Sequence, residues 1–479
     1  MEESSAILLV VFLSISCASE IKSDVKNHRF KAGDQVPFYA NKVGPFHNPS
    51  ETYSYYDLPF CSPDPVLAEK GTLGEVMNGD HLVSVPYKID FLVEKDSEIA
   101  CRKKLTTTQI SKFRSAIAQD YYIQMYFDDL PIGKGNTIFF THVVFDVFYN
   151  NEYVIEMHVR TIPQLTVELK QDKEVDVDFM YTVNWKETDT PFEKRMDKYH
   201  PRDLLIRWFS VINSCWTALI LLGCMMMFYI RVLKKDINKY ATDEELADNQ
   251  EERGWKNIYG DVFRYPKYKS LFAASVGCGT QLFILVLCII MLGLLGVFHP
   301  YGRGTLLTAL VILYAITSVI AGYTAVSLYG QFEGTNWVRN LLLAGFLSIG
   351  PLFLTFCFLN SIAITYRTTV ALSLGTILIL FSLWLLGALP LPFLGGISAR
   401  SSKSKFQAPC HTTRCPGEIP SLRWYRGIIP QTTVAGILPF SVIYIELNWL
   451  FANLLHHRIY TNYAILFIVI IMLVIVTAS

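Results

Sequence analysis

Hydrophobic and polar positions divide the chain near Arg207. Beyond it come seven apolar runs, at 208–230, 274–298, 305–328, 339–361, 370–393, 430–452 and 459–477. Each has roughly the ~20 residues that carry a helix across a bilayer. Before Arg207 the period is two instead. In VDVDFMYTVNW, Val175, Val177, Phe179, Tyr181, Val183 and Trp185 alternate onto one face, and in YVIEMHV Tyr153, Ile155, Met157 and Val159 do the same. TVELKQDKEVDVDF sets a charged turn between two alternating runs and predicts a hairpin. One helix is expected where Ile110, Phe113, Ile117 and Tyr121 share a face, with Thr106 to Thr108 offering caps. The fold class that follows is a polytopic α-helical membrane protein. Its N-terminal domain, residues 19–207, is mostly β and resembles a sandwich or jelly-roll.

The first residues set the orientation. AILLVVFLSISCAS is a short apolar run closed by small residues, with Ser16 and Ala18 before the cut, and predicts a signal peptide over 1–18. The alternative, a first membrane helix, asks for a longer run. Cleavage would leave 19–207 lumenal and the loops 231–273 and 394–429 cytosolic. Positive charge agrees with this. The first loop holds Arg231, Lys234, Lys235, Lys239, Arg253, Lys256, Arg264, Lys267 and Lys269, and the second Arg400, Lys403, Lys405, Arg414, Arg423 and Arg426. The opposite connections offer little beyond Arg303, Arg367 and Arg458.

Composition supports a membrane protein: of 479 residues, 51% are hydrophobic and 18% charged. Formal net charge is zero, so no global field recruits nucleic acid. Within 19–207 only Cys61 and Cys101 are present, a candidate disulfide in an oxidising lumen, the alternative being two buried thiols. No glycosylation sequon is found, since Asn48 is followed by Pro49.

Candidate chemistry is sparse. There is no nucleophile elbow, phosphate loop, HExxH or dinucleotide fingerprint, so no enzyme and no cofactor is expected. Cys410, His411 and Cys415 have a spacing unlike zinc pairs, and no metal site is expected there. His456 and His457 read as interfacial, and the acidic run 243–252 as a solvated face. Ala273, Gly277, Gly279 and the string GLLG mark close helix contacts, with neighbouring spans or with another protein's helix.

The exception is Glu446, in GILPFSVIYIEL, because a carboxylate inside a span is costly and faces the bundle interior or water. Pro439 frees a backbone carbonyl nearby. Glu446, and more weakly Gln281, form a candidate intramembrane polar site. It serves either an ion or proton in a transporter or channel, or the structure alone. A transporter is expected to show internal repeats or broken helices in matched halves, and none is visible. A G-protein-coupled receptor is disfavoured, since the third span ends SLYGQF without an acidic–arginine motif and the seventh lacks NPxxY.

Longer strings carry a resemblance. GDQVPFYANKVGPFHNPSETYSYYDLPFC (33–61), LGEVMNGD (73–80), DDLPIG (128–133), NWKETDTPFEKRMDKY (184–199), GWKNIYGDVFRYP (254–266) and GILPFSVIYIEL (436–447) resemble, in order, the signatures of the nonaspanins. These are the transmembrane 9 superfamily, of endomembrane protein 70 type. The resemblance implies nine spans behind a large lumenal domain, residence in Golgi or endosomal membranes, and a sorting or trafficking role. The implied partners are client membrane proteins, including those with glycine-rich transmembrane helices, and membrane lipids; adhesion and phagocytosis are implied as well. Three departures stand out: a shortened loop after DDLPIG, an altered APCHTTRCPGEIP, and an end at Ser479, where the family continues with two spans and a coat-read tail. The expectation is therefore a form truncated after the seventh span, which weakens any expectation of coat-protein binding. As an alternative, such a form is inactive, competes with the full-length protein, or is retained in the endoplasmic reticulum.

Overall fold

The structure is a computed structural model, and it describes residues 28–48, 51–132, 141–161, 174–196, 204–243, 261, 263–298, 302–402, 424, 427–455 and 463–478. The expected signal peptide, the Cys410–His411–Cys415 set and His456–His457 lie outside the described residues.

In chain order the strands are β1 (Phe38–Pro45), β2 (Tyr53–Ser54), β3 (Val83–Ser84), β4 (Lys95–Leu105) and β5 (Tyr121–Phe127). They continue as β6 (Leu130–Ile132), β7 (His142–Asn150), β8 (Tyr153–Thr161) and β9 (Val175–Glu187). One sheet runs β2-β1-β5-β6, with β3 also paired to β1, and the other runs β4-β9-β7-β8. A single apolar core joins the sheets. Phe38 of the first meets Phe127 and, from the second sheet, Phe145, edge to face at 5.6 and 5.5 Å. The result is the expected mostly β domain, as a two-sheet sandwich.

In β9 the alternation holds: Val177, Phe179, Tyr181 and Val183 are buried while Asp176 and Asp178 are exposed. In β8 it slips. Phe148 faces Glu156 and Tyr149 faces Val154, so Ile155 is the extra residue of a bulge and Val154 enters the core in place of Tyr153. The predicted hairpin has its first arm outside the described residues. Its second arm is β9, antiparallel to β4 and parallel to β7.

Two helices accompany the sheets, α1 (Leu73–Met77) and α2 (Thr107–Ala118). The N-cap of α2 is Thr106, whose N–H donates to Gln109 Oε1 at 3.1 Å, and Ile110, Phe113 and Ala116 are buried. Tyr121 leaves the predicted face. Asp120 takes φ +47°, which ends the helical run, and Tyr121 opens β5.

The membrane region comprises α3 (Leu204–Asp243), α4 (Lys269–Leu294), α5 (Thr305–Gln331) and α6 (Trp337–Thr365). Then follow α7 (Leu374–Leu383), a π turn (Trp384–Ala388) leading to α8 (Leu391–Ser402), α9 (Ile428–Leu455) and α10 (Tyr463–Ala478). Six described segments are long and apolar enough to cross a membrane, with α7 through α8 counting as one. The seventh, α10, has 16 residues, about 24 Å at 1.5 Å per residue. The fifth span differs from the expected 370–393 at both ends. Ser373 Oγ caps its start by accepting from the Thr376 N–H at 3.3 Å. Buried Gly395, Gly396 and Ala399 continue it to Ser402, with Gly395 against the Val319 carbonyl of α5.

The N-terminal domain rests on two connections of this bundle. The Thr369 N–H donates to the Thr52 carbonyl at 2.8 Å and the two hydroxyls lie 2.6 Å apart, while α1 packs on α5.

Candidate functional site

Close crossing of α4 and α5 needs small residues, since a Cβ on Gly277 would meet Ala325 at 2.7 Å. Gly277 is buried in this contact and Ala273 is buried one turn before it, whereas Gly279, expected beside them, has open space at its Cβ position. Polar groups are drawn into the same interior. Gln281 is 2% exposed, and its Nε2 donates to the Tyr314 carbonyl at 3.1 Å. The Tyr314 hydroxyl bonds Ser348 Oγ at 2.7 Å, and Ser348 Oγ also donates to the Gly345 carbonyl at 3.0 Å. On a second level Asn340 is fully buried. Its Nδ2 donates to the Ala325 carbonyl at 3.0 Å, and its Oδ1 accepts from Ser270 Oγ at 3.1 Å.

This seam is neutral and ends largely on backbone carbonyls, which is how polar groups are tolerated where no water competes. Beside it Gln281, Tyr314, Ser318, Ser348, Trp384 and Pro392 line a cavity of about 20 Å³. That is room for about one water. The arrangement can hold helices in register or bind a single hydroxyl-sized group.

Glu446 is elsewhere. It is half-buried in α9, which packs on α3 and α10, and it does not line the cavity. One turn before it, Ser214 Oγ of α3 donates to the Val442 carbonyl at 2.8 Å. The two sequence candidates therefore sit on different helices, α4 and α9, each packed on α10, and do not form one site. Cys61 and Cys101 are joined as a disulfide with Cα atoms 6.1 Å apart. Among the described residues, no group of three or more His, Cys, Asp or Glu is placed to hold a metal.

A second polar assembly lies where the N-terminal domain meets the bundle. Arg303, in the α4–α5 connection, pairs with Glu75 of α1 and with Asp129 between β5 and β6, each at 3.2 Å. The strings 33–61, 73–80 and 128–133 thus converge here, through Thr52, Glu75 and Asp129. Sequence reasoning missed this joint, because its only signal was an arginine in a connection otherwise poor in charge. The Tyr314–Ser348 and Ser270–Asn340 pairs were missed as well, although a lone asparagine inside an apolar run is a usable sign.

The profile of the family described as Endomembrane protein 70 matches residues 52–479. The chain is 58% identical to Transmembrane 9 superfamily member 4 of Arabidopsis thaliana, over 98% of this chain and 83% of the relative. It is 38% identical to "Putative phagocytic receptor 1b" of Dictyostelium discoideum, again over 98% and 83%. It is 37% identical to Transmembrane 9 superfamily member 1 of Bos taurus, over 92% and 77%. No solved structure matches it significantly.

Proposed function

This chain belongs to the endomembrane protein 70 family, the transmembrane 9 superfamily, and from that premise we propose that it is an endomembrane trafficking factor. It resides in Golgi or endosomal membranes with its N-terminal domain in the lumen. It assists the localisation of other membrane proteins by engaging their transmembrane helices. The observation that favours this over solute transport is the interior of α4, α5 and α6. There neutral donors end largely on carbonyls, beside a cavity of about 20 Å³. A transport path is built from a longer run of such space, or from a charged relay. In α3 and α9 only 17% and 6% of the most apolar window is buried inside the chain, against 39% in both α4 and α5. These helices offer broad sides on which another helix can pack in lipid. The name of the Dictyostelium relative, a phagocytic receptor, supports a role in membrane traffic or at the surface.

The test is deletion and re-expression in the native cell, with surface-protein abundance read by biotinylation and mass spectrometry. The proposal expects a defined set of membrane proteins to leave its normal compartment and to return on re-expression. The transport reading, which rests on Glu446, expects Glu446→Gln to abolish a solute flux without moving any protein. That outcome would overturn the trafficking role.

A further inference from the structure

Strands β5 and β6 are joined by the two-residue turn Asp128–Asp129, with φ of +47° and +62°. Positive φ at both positions is the geometry of a type I′ hairpin turn, which ordinarily selects Asn-Gly or Asp-Gly. Here two side chains occupy the left-handed region, at a conformational cost that glycine would avoid. What the second carboxylate supplies is visible in the contacts, which serve different parts of the molecule.

Asp128 is 4% exposed. Its Oδ2 accepts from Arg195 Nη1 at 2.8 Å and its Oδ1 lies 2.7 Å from His28 Nδ1. Arg195 also donates to the Val154 carbonyl at 3.3 Å and lies over the Phe192 ring at 4.2 Å. It stands in the segment that leads from the β domain to α3, so Asp128 anchors that leader. Asp129 reaches Arg303 of the α4–α5 connection, whose Nε donates to Glu75 Oε1 at 3.2 Å. The Arg303 guanidinium lies over the Tyr126 ring at 4.5 Å, a cation–π contact. Burial holds the Tyr126 phenol well above its ordinary range, so the ring stays neutral beneath the cation. One tight turn thus ties the leader of the first membrane helix to the connection between the second and third.

The two halves are unequal. The Asp128 and Arg195 side chains are 4% and 7% exposed, but those of Arg303, Glu75 and Asp129 are 16%, 14% and 32%. We propose that the Asp128–Asp129 turn is a latch. Its Asp128 half is permanent, and its Arg303 half is the releasable clamp that docks the N-terminal domain onto the helix bundle. This inference does not depend on the trafficking role.

The Thr52–Thr369 contact supplies a reporter, since the two hydroxyl oxygens lie 2.6 Å apart across the same interface. The double variant Thr52→Cys/Thr369→Cys, full length in native membranes, is oxidised with copper phenanthroline. The 52–369 cross-link is then timed by mass spectrometry. Adding Glu75→Gln with Asp129→Asn, which keep shape and remove charge, is expected to slow cross-linking several-fold, and Arg303→Gln is expected to do the same. Resistance of the N-terminal domain to limited proteolysis should persist as the sign of an intact domain. An unchanged rate in these variants would overturn the latch. Should they fail to accumulate, the unsubstituted reporter is timed in rising salt. A rate that falls with ionic strength is expected, and a rate independent of salt would overturn the proposal.

Discussion

Gly74 and Gly304 meet backbone to backbone. A Cβ on Gly74 would fall on the Gly304 carbonyl, and a Cβ on Gly304 would fall on the Gly74–Glu75 peptide. Gly304 also holds φ +68° at the start of α5. Alanine at 304 therefore adds left-handed strain to overpacking, and about 2–4 kcal/mol of destabilisation is expected. Gly279→Ala, with nothing near its Cβ position, is expected to be neutral or slightly stabilising. Thermal unfolding of the purified protein in detergent separates the two.

The Cys61–Cys101 bond closes a separation of 40 residues. In the chain-entropy account, replacing both cysteines with serine should cost the N-terminal domain about 3–4 kcal/mol. Reductant should lower the unfolding temperature of the unsubstituted protein to that of the double variant and leave the double variant unmoved.

Asp146 is buried at the centre of its sheet, and its carboxyl is lowered to about 2. The chief cause is the hydrogen bond from Arg160, helped by Asn184 at 3.1 Å and Lys186 at 3.4 Å and opposed by burial. The unfolded carboxyl titrates near ~3.9. The stabilisation is therefore complete above about pH 4 and is lost as pH falls from there through about 2. Asp146→Asn should cost about 2 kcal/mol at pH 7. That difference should persist unchanged to pH 5 and shrink only below pH 4, as read by chemical denaturation across pH.

Gln281 gives up one hydrogen bond, to the Tyr314 carbonyl, when replaced by leucine. Helix–helix bonds of this kind contribute about 1 kcal/mol or less in membranes, so Gln281→Leu should fold and accumulate almost normally. Gln281→Glu sets a charge among carbonyls and hydroxyls and should cost about 3 kcal/mol or more. A normally folded Gln281→Leu protein that failed to restore membrane-protein localisation would show that the amide is more than a structural tie.

Local rules made much of the fold legible. The alternation in β9 depends on residues two apart, and the cap of α2 on Thr106 and Gln109, both within reach of a reader of sequence. The apolar runs gave the membrane helices because length and hydrophobicity alone decide them. What escaped was set by partners far along the chain. The bulge at Ile155 follows from pairing with β7, and the continuation to Ser402 from the fit of Gly395 against Val319. Arg303 finds Glu75 across more than two hundred residues, and no periodicity announces such a pair. Gln281 and Glu446 were each recognised as polar residues within spans, but that they sit on different helices and form no common site is a property of packing.

The π turn at Trp384–Ala388 gives the fifth span a reading frame and then shifts it. Before the shift, in Leu374–Leu383, no residue is buried; after it, Pro392, Gly395, Gly396 and Ala399 are. One surplus residue rotates all that follows by about 100° about the helix axis, since each α residue takes that share of a 3.6-residue turn. The small side chains that touch α5 all follow it. Removing one residue from the turn would scramble that contact without altering any residue in it, and inserting one just before Leu391 would restore the sense of the message.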